Sequence, residues 1–231
     1  MYYPDIIPAT FVRRLNRFLC EVIVDDEAVF CHVPNTSRLT ELQIPGSDVI
    51  LQKSRNPARK TRYTLIHMDK AGHWINIDSQ APNTLVTEAL TADPGLIGLD
   101  ATPGEVRWRR ELRYGNSRFD LGYKLEGRSG LIEIKGVTLE EGGIAMFPGA
   151  PTTRGVKHLA ELAASQEDGY IPHLILCVQI PYAREVRIAR HIDPLFGEAY
   201  DLAKEAGVRI HAFRCTIEPG EVRLSTAIPW E

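Results

Sequence analysis

The sequence predicts a two-domain protein of mixed α+β and α/β class, with a small β-barrel in residues 1–82 and a mixed α/β unit in residues 83–231. Two observations predict this division. Short strand-like segments separated by turn signals fill the first part of the chain, whereas helices alternate with strands in the remainder. The length of 231 residues accommodates two domains, each with its own core.

The N-terminal domain is predicted from five short strands and one short helix. Turns rich in Gly, Pro, Asn and Asp separate the apolar stretches. Five strands and one helix fit a small closed barrel, for which the OB-fold is the common solution. The predicted strands are Phe18–Val24, Ala28–Val33, Asp48–Lys53, Thr61–Met68 and His73–Ile77, and the predicted helix is Ser37–Leu42.

The C-terminal domain is predicted to contain a strand–helix–strand crossover. Asn83 or Thr84 is expected to cap a helix that ends near Leu90. The apolar run His173–Ile180 is typical of a buried central strand. The remaining predicted elements are the strand Glu105–Tyr114, the hairpin Ser117–Val137, the helices Thr153–Ser165 and Gly197–Ala206, and the strand Val208–Cys215.

Composition narrows the class of protein. The chain is 44% hydrophobic and 25% charged, which is ordinary for a soluble globular protein, and its net charge of −3 weighs against a dedicated nucleic-acid binder. The start has no basic segment followed by an apolar one, and no apolar run is long enough to span a membrane, so we expect a cytoplasmic protein without membrane contact. Four scattered cysteines without a CxxC pair are expected to be buried free thiols: Cys20, Cys31, Cys177 and Cys215.

The hairpin segment SRFDLGYKLEGRSGLIEIKGV is the most informative part of the chain. Its first strand alternates apolar residues with polar or small ones and carries Asp120. Its second strand carries Glu133 and Lys135, which are two residues apart and therefore share one face. Charged groups are costly to bury without partners, so such side chains are often kept for chemistry.

The geometry of the turn decides whether these charges meet. A two-residue loop at Gly127-Arg128 would place Asp120 opposite Lys135, with Glu133 on the same patch. Two carboxylates at one point bind a hard divalent cation such as Mg²⁺, and a nearby lysine orients a water molecule. The alternative is that Glu133 and Lys135 form a solvated strand face and that Asp120 is a strand-end acid.

Several longer segments match a known family in order along nearly the whole chain. They are NRFLCEV, HVPNTSRLTEL, PGSDVIL, RKTRYTL, APNTLVTEAL, RYGNSRFDLGY, EIKGVTLEEGGIAMFPGAPTTRGVKHLAEL and DPLF. With them the chain resembles the sugar fermentation stimulation protein A (SfsA) family. The order helix, strand, strand with Asp, strand with ExK, helix, strand also resembles the core of the PD-(D/E)xK nucleases. Two positions depart from the family pattern: Ser37 stands where Gly is usual, and Gly149 stands where Asp is usual.

The resemblance implies a DNA-binding protein with an OB-like N-terminal domain and a restriction-endonuclease-like C-terminal domain. It implies that Asp120 and Glu133 are ligands of Mg²⁺ or Mn²⁺ and that Lys135 is the catalytic lysine. Glu88, on the preceding helix, corresponds to an additional catalytic acid. The expected activity is hydrolysis of phosphodiester bonds in single- or double-stranded DNA.

Basic residues are predicted to contact DNA phosphates. Arg154 lies near the start of a helix, where free backbone N–H groups suit a phosphate; His158, four residues later, is interpreted as a polar helix residue. Arg38 is added on the family resemblance alone. The main cluster lies where OB-folds often hold single strands, and includes Arg55, Arg59, Lys60 and Arg62. The alternative is that these basic residues form only a solvated surface.

Two other functions stay open at this stage. One is a non-catalytic DNA-binding regulatory protein of sugar metabolism that retains the nuclease scaffold and binds with little sequence preference. The other is a small-molecule or protein-binding role, which the acidic net charge permits. A homo-oligomer is compatible with each of them.

Overall fold

The computed structural model describes residues 1–231, which form fifteen strands, three α-helices and two short 3-10 helices. The N-terminal strands are β1 (Ile6–Asn16), β2 (Leu19–Val24), β3 (Glu27–His32), β4 (Asp48–Lys53), β5 (Tyr63–Lys70) and β6 (His73–Asn76). The C-terminal strands are β7 (Arg107–Tyr114), β8 (Ser117–Leu125), β9 (Arg128–Val137), β10 (Leu139–Glu141), β11 (Ile144–Phe147), β12 (Tyr170–Val178), β13 (Glu185–Ile188), β14 (Arg209–Glu218) and β15 (Glu221–Ala227). The helices are α1 (Ala81–Ala92), α2 (Thr153–Ala164) and α3 (Pro194–Glu205), and the 3-10 helices are Pro94–Ile97 and Ser165–Asp168.

The N-terminal domain is a sheet with the order β3-β2-β1-β4-β5-β6. Strand β3 also pairs in parallel with β5, so the first five strands form a hydrogen-bonded ring. Strand β1 was not predicted, because it contains Pro8 and buries only Phe11 fully, which leaves no apolar alternation to recognise. The five strands that were predicted for this domain are all present, at nearly the predicted positions.

The predicted helix Ser37–Leu42 is wrong, because this segment is a loop of turns. Leu39 has a φ of 53°, a left-handed conformation that no regular α-helix contains. The guanidinium of Arg14 donates to the carbonyl oxygens of Asn35, Ser37 and Arg38. An arginine side chain therefore satisfies backbone acceptors that a helix would pair internally.

The C-terminal domain is built on a sheet with the order β15-β14-β12-β9-β8-β7. Strands β9, β12 and β14 run parallel, whereas β15 pairs antiparallel with β14, β8 with β9, and β7 with β8. Alternate residues of the central strands enter two separate cores: Leu174 lies in the larger one, with α2 and α3, and Ile175 in the smaller one, with α1. The predicted element order is present; β10, β11, β13 and β15 are additional to it.

The two domains share a core and several polar contacts. The larger apolar cluster contains Phe11 of β1 as well as Leu174 of β12. Lys70 forms an ion pair of 2.5 Å with Glu140 across the two domains. The N–H of Tyr3, before β1, donates to the carbonyl of Gly220 at 2.8 Å. The first residues of the chain are therefore attached to the C-terminal sheet.

Two compositional predictions concern the cysteines and membrane spans. All four cysteines are buried and free, as predicted. None of the three α-helices has the length and apolar character needed to cross a membrane.

Candidate metal and phosphate site

The turn of the central hairpin differs by one position from the predicted turn. Strands β8 and β9 are joined by Glu126 and Gly127, because Leu125 pairs with Arg128. Glu126 and Gly127 have φ values of 48° and 79°, and two successive positive φ values define a type I′ turn, which matches the twist of a hairpin. The predicted turn at Gly127-Arg128 is therefore wrong, but a two-residue turn still keeps the charged side chains on compatible faces.

The register places Asp120 in line with Glu133 rather than Lys135. The last regular pair of this hairpin is Leu121 with Ile132, and the ladder ends there. The carboxylate of Asp120 takes the next backbone donor, since its Oδ2 accepts the N–H of Ile134 at 2.8 Å. Asp120 therefore lies in the gap where the two strands separate.

Helix α1 fixes the second oxygen of this carboxylate. The side-chain Nδ2 of Asn83 donates to Oδ1 of Asp120 at 2.8 Å. The prediction that Asn83 or Thr84 caps α1 is wrong, because the helix starts at Ala81. Asn83 instead orients Asp120 from within the first turn of α1.

Glu133 is the centre of the site. Its side chain is only 3% exposed, and Oε1 accepts hydrogen bonds from Lys135 Nζ at 2.5 Å and from His158 Nδ1 at 2.7 Å. Its other oxygen, Oε2, is buried and has no hydrogen-bond partner. Buried carboxylate oxygens are normally satisfied, so the unpaired Oε2 distinguishes this site from an ordinary buried ion pair. We call Asp120, Glu133, Lys135 and His158 the carboxylate cluster.

His158 belongs to the site, although the sequence predicted only a polar helix residue at this position. It is buried on the inner face of α2, next to Leu159 and Leu162 in the apolar stripe. Nδ1 contacts Oε1 of Glu133 at 2.7 Å, and Nε2 accepts a hydrogen bond from Arg154 Nε at 3.4 Å, so the ring lies between these two charged side chains. The sequence feature that could have identified His158 is its position beside the apolar stripe of an amphipathic helix.

The two carboxylates have opposite pKa shifts. Burial, followed by the negative charge of Glu133, raises the pKa of Asp120 above its usual value. Burial also acts to raise the pKa of Glu133, but the hydrogen bond from His158 and the positive charge of Lys135 outweigh it and lower that pKa. Glu133 is therefore held ionised more firmly than Asp120.

The donor set fits a hard cation better than a zinc ion. No group of three or more His, Cys, Asp or Glu side chains is arranged to hold a metal. Structural and catalytic zinc sites need three or four such ligands. Mg²⁺ is usually bound through one or two carboxylates and keeps several waters, so the two carboxylates and the unpaired Oε2 of Glu133 suit it.

Comparison with known proteins identifies the family. A family model described as the SfsA N-terminal OB domain matches residues 12–77, and one described as the sugar fermentation stimulation protein RE domain matches residues 80–221. The chain belongs to the SfsA family. The match confirms the predicted N-terminal OB domain, and the two matched regions meet just before α1.

Individual relatives align over nearly the whole chain. Proteins named sugar fermentation stimulation protein homolog are 42% identical over 230 residues in Clostridium botulinum (strain Hall) and 40% identical over 228 residues in Ruminiclostridium cellulolyticum. These alignments cover 98% and 99% of this chain and 97% and 98% of the relatives. A solved structure of Pyrococcus furiosus SfsA in complex with Ca²⁺ is 29% identical, with a TM-score of 0.88, and covers 100% of this chain and 98% of that one.

Glu88 does not join the carboxylate cluster. Its carboxylate is 55% exposed and pairs with the amino group of Met1 at 2.8 Å, beside β15. The preceding helix instead supplies Asn83, an amide, to Asp120. The predicted role of Glu88 as a catalytic acid therefore has no geometric support.

The predicted DNA-contacting residues lie in three separate places. Arg154 is the one that contacts the carboxylate cluster, through His158. Arg38 lines a cavity of about 420 Å³ between the domains, which Thr138 and Gly149 also line. The others lie on the exposed segment 54–62 between β4 and β5, here called the basic loop: Arg55, Arg59, Lys60 and Arg62.

The basic loop is only loosely tied to the rest of the domain. Arg55 pairs with Asp5 at 2.6 Å, and Arg59 donates to Thr64 at 3.0 Å. Arg62 lies over the ring of Tyr63 at 5.6 Å, and Lys60 is exposed without an ion pair. No hydrogen bond or ion pair connects this loop to the carboxylate cluster.

Proposed function

We propose that this SfsA-family protein hydrolyses phosphodiester bonds in DNA with Mg²⁺ or Mn²⁺ held by Asp120 and Glu133. The observation that carries the proposal is the buried, unpaired Oε2 of Glu133 beside a second carboxylate and a lysine. Leaving a buried carboxylate oxygen without a partner costs about 1–3 kcal/mol or more, which a bound cation would offset.

The residues of the chain have distinct roles in this proposal. Asp120 and Glu133 would hold the cation, which acts as a Lewis acid toward the phosphate when bound. Lys135 presents its ammonium group at the same carboxylate, where it orients a water molecule and moves a proton. His158 fixes the orientation of Glu133 from α2.

Helix α2 also supports an anionic substrate. Its N-terminal turn directs backbone N–H groups and the positive end of the helix dipole outward, and Arg154 lies in that turn. The chain Arg154–His158–Glu133 therefore links a phosphate-binding position to the metal-binding carboxylate. This link supports a phosphate ester rather than a neutral substrate.

Two comparisons support the proposal. The structurally similar Pyrococcus furiosus protein was solved in complex with Ca²⁺, which is an oxygen-binding cation like Mg²⁺. The N-terminal region matches an OB domain, a fold that commonly binds nucleic-acid strands, and carries an exposed basic loop. The C-terminal resemblance to PD-(D/E)xK nucleases points to the same reaction.

The test is cleavage of plasmid and single-stranded DNA by the full-length protein with Mg²⁺, Mn²⁺ or EDTA. We expect cleavage with either metal and none with EDTA. Asp120→Ala and Lys135→Ala should each lower the rate by at least about 10²-fold while DNA binding is retained, since they remove cation binding and proton transfer. Glu88→Ala serves as the control and should cleave normally. Equal cleavage by the wild type and the Lys135→Ala variant would show that a contaminant acts.

A non-catalytic DNA-binding regulator is the second candidate. The observation that favours it is the separation of the basic loop from the carboxylate cluster, since binding through the loop needs no chemistry. Salt-sensitive DNA binding without cleavage under any metal condition would favour this candidate and overturn the first.

A further inference from the structure

A polar pocket opens beside the carboxylate cluster. Its volume is about 570 Å³, and no hydrophobic residue lines it. It lies between the turn joining β7 to β8, at Asn116, and the first turn of α2, at Thr153. His158, whose ring contacts Glu133, forms one wall.

The pocket is cationic. Arg118, Arg154 and Lys157 line it, and no acid does. Arg118 is paired with Glu111 at 3.1 Å, and both side chains are more than half exposed. Lys157 is also about half exposed, and it lies 3.7 Å from the less exposed Glu161. Exposed ion pairs contribute little stability, so an incoming anion can replace them.

A buried donor in the pocket has no partner. Ser117 is only 8% exposed, lines the pocket, and its Oγ makes no hydrogen bond. A buried hydroxyl without a partner is unusual in a folded protein, and a ligand oxygen in this pocket would accept its proton. The cap residue Thr152 accepts the N–H of Gly155, which leaves the earlier amides of α2 for the same ligand.

We propose that this pocket binds a phosphate group of the nucleic-acid strand adjacent to the bond that is cut. The inference rests on the proposed hydrolysis and names the position where the neighbouring phosphate lies. Positive side chains, helix N–H groups and a free hydroxyl together match the oxygens of a phosphate. A terminal phosphate and an internal phosphodiester share this chemistry.

The test is equilibrium binding of short fluorescent single strands to the full-length protein in EDTA, where no cleavage occurs. The strands carry a 5′-phosphate, a 3′-phosphate or only hydroxyl ends. Ser117→Ala should weaken binding about tenfold, because it removes a hydrogen bond to a charged group. Its melting temperature should not fall, because Oγ has no partner in the free protein.

The matched control is Ser47→Ala, which removes another buried serine hydroxyl without a partner, in the N-terminal domain. It should bind every strand like the wild type. Lys157→Gln should also reduce the slope of log affinity against log salt by about 0.7, as expected for one lost phosphate contact.

The outcomes distinguish a terminal from an internal phosphate, and they test the pocket separately from the proposed hydrolysis. A loss confined to one phosphorylated end identifies a terminal phosphate, and an equal loss on all strands identifies an internal one; either supports the pocket. Wild-type affinity of Ser117→Ala for all strands overturns the pocket, even if the protein cleaves DNA. A loss of binding in Ser117→Ala without any cleavage by the wild type supports the pocket and overturns the hydrolysis.

Discussion

The carboxylate cluster and the basic loop both concentrate charge, but they hold it in opposite ways. In the cluster, Glu133 is 3% exposed and its Oε1 accepts from both Lys135 and His158. In the basic loop, the Arg55 side chain is 76% exposed, and Lys60 and Arg62 form no ion pair. One region fixes the direction of each charged atom, and the other supplies positive potential.

This difference predicts separate contributions of the two regions to the proposed function. Fixed, desolvated groups stabilise charge that develops at one point, so changes there should act on the rate of reaction. Exposed groups act through the ion atmosphere of the nucleic acid, so changes there should act on affinity and on its salt dependence. Variants in the two regions should therefore separate turnover from binding.

Among variants that test this difference between the two regions, the largest effect on kcat is expected at His158. His158→Phe keeps an aromatic ring against Phe119 but removes the hydrogen bond to Glu133. Replacing a residue that orients a metal ligand typically costs about 10–100-fold in activity. We expect kcat to fall by about that factor with little change in KM, measured by steady-state cleavage of a defined oligonucleotide.

His158→Asn is the matched variant, because its side-chain Nδ2 lies at the position of the histidine Nδ1 and still donates to Glu133. It should recover part of the lost kcat if orientation is the cause. An unchanged kcat in His158→Phe would contradict the positioning role, as would a loss confined to KM.

A smaller effect is expected in the basic loop. Lys60→Gln combined with Arg62→Gln removes two exposed positive charges. The slope of log affinity against log salt should become shallower by about 1.4 to 1.8, while kcat at saturating DNA stays unchanged. Binding is measured by fluorescence anisotropy over a salt series. A fall in kcat at saturating DNA would contradict the proposal that the basic loop acts on binding and not on turnover.

The control removes the same charge from the other domain. Arg187→Gln combined with Lys204→Gln changes two exposed positions outside the basic loop. An equal change in salt slope would show that the effect reflects net charge rather than the loop.

Parts of the site could be predicted from the sequence because they depend on the two-residue alternation of side chains along a strand. The spacing of Glu133 and Lys135 fixes their shared strand face, and a two-residue turn preserves the parity of the hairpin. The turn position was off by one because Glu126 adopts a positive φ, which is uncommon for a glutamate. Local pattern thus predicted which groups meet, but not their register.

Other parts depend on contacts that local sequence does not encode. His158 enters the site because α2 packs on the sheet, and Asn83 does so because α1 packs beside the gap at Asp120. The loop at Ser37–Leu42 avoids a helix because Arg14, far away in the sequence, takes its carbonyls. In this last case, tertiary hydrogen bonds overrode the local preference for a helix.

The smallest effect concerns the one acid that restrains the basic loop. Asp5 pairs with Arg55 at 2.6 Å, and the hydrogen bond and charge of Arg55 hold the pKa of Asp5 below its usual value. Asp5→Asn frees Arg55 and removes a negative charge, so DNA affinity at neutral pH should rise by a factor of about two or three. Because a lowered pKa keeps Asp5 ionised in mildly acidic solution, this gain should persist there and disappear only when Asp5 of the wild type becomes protonated. Anisotropy titrations over a pH series check both points, and a gain that vanishes near neutral pH would show that another group controls the loop.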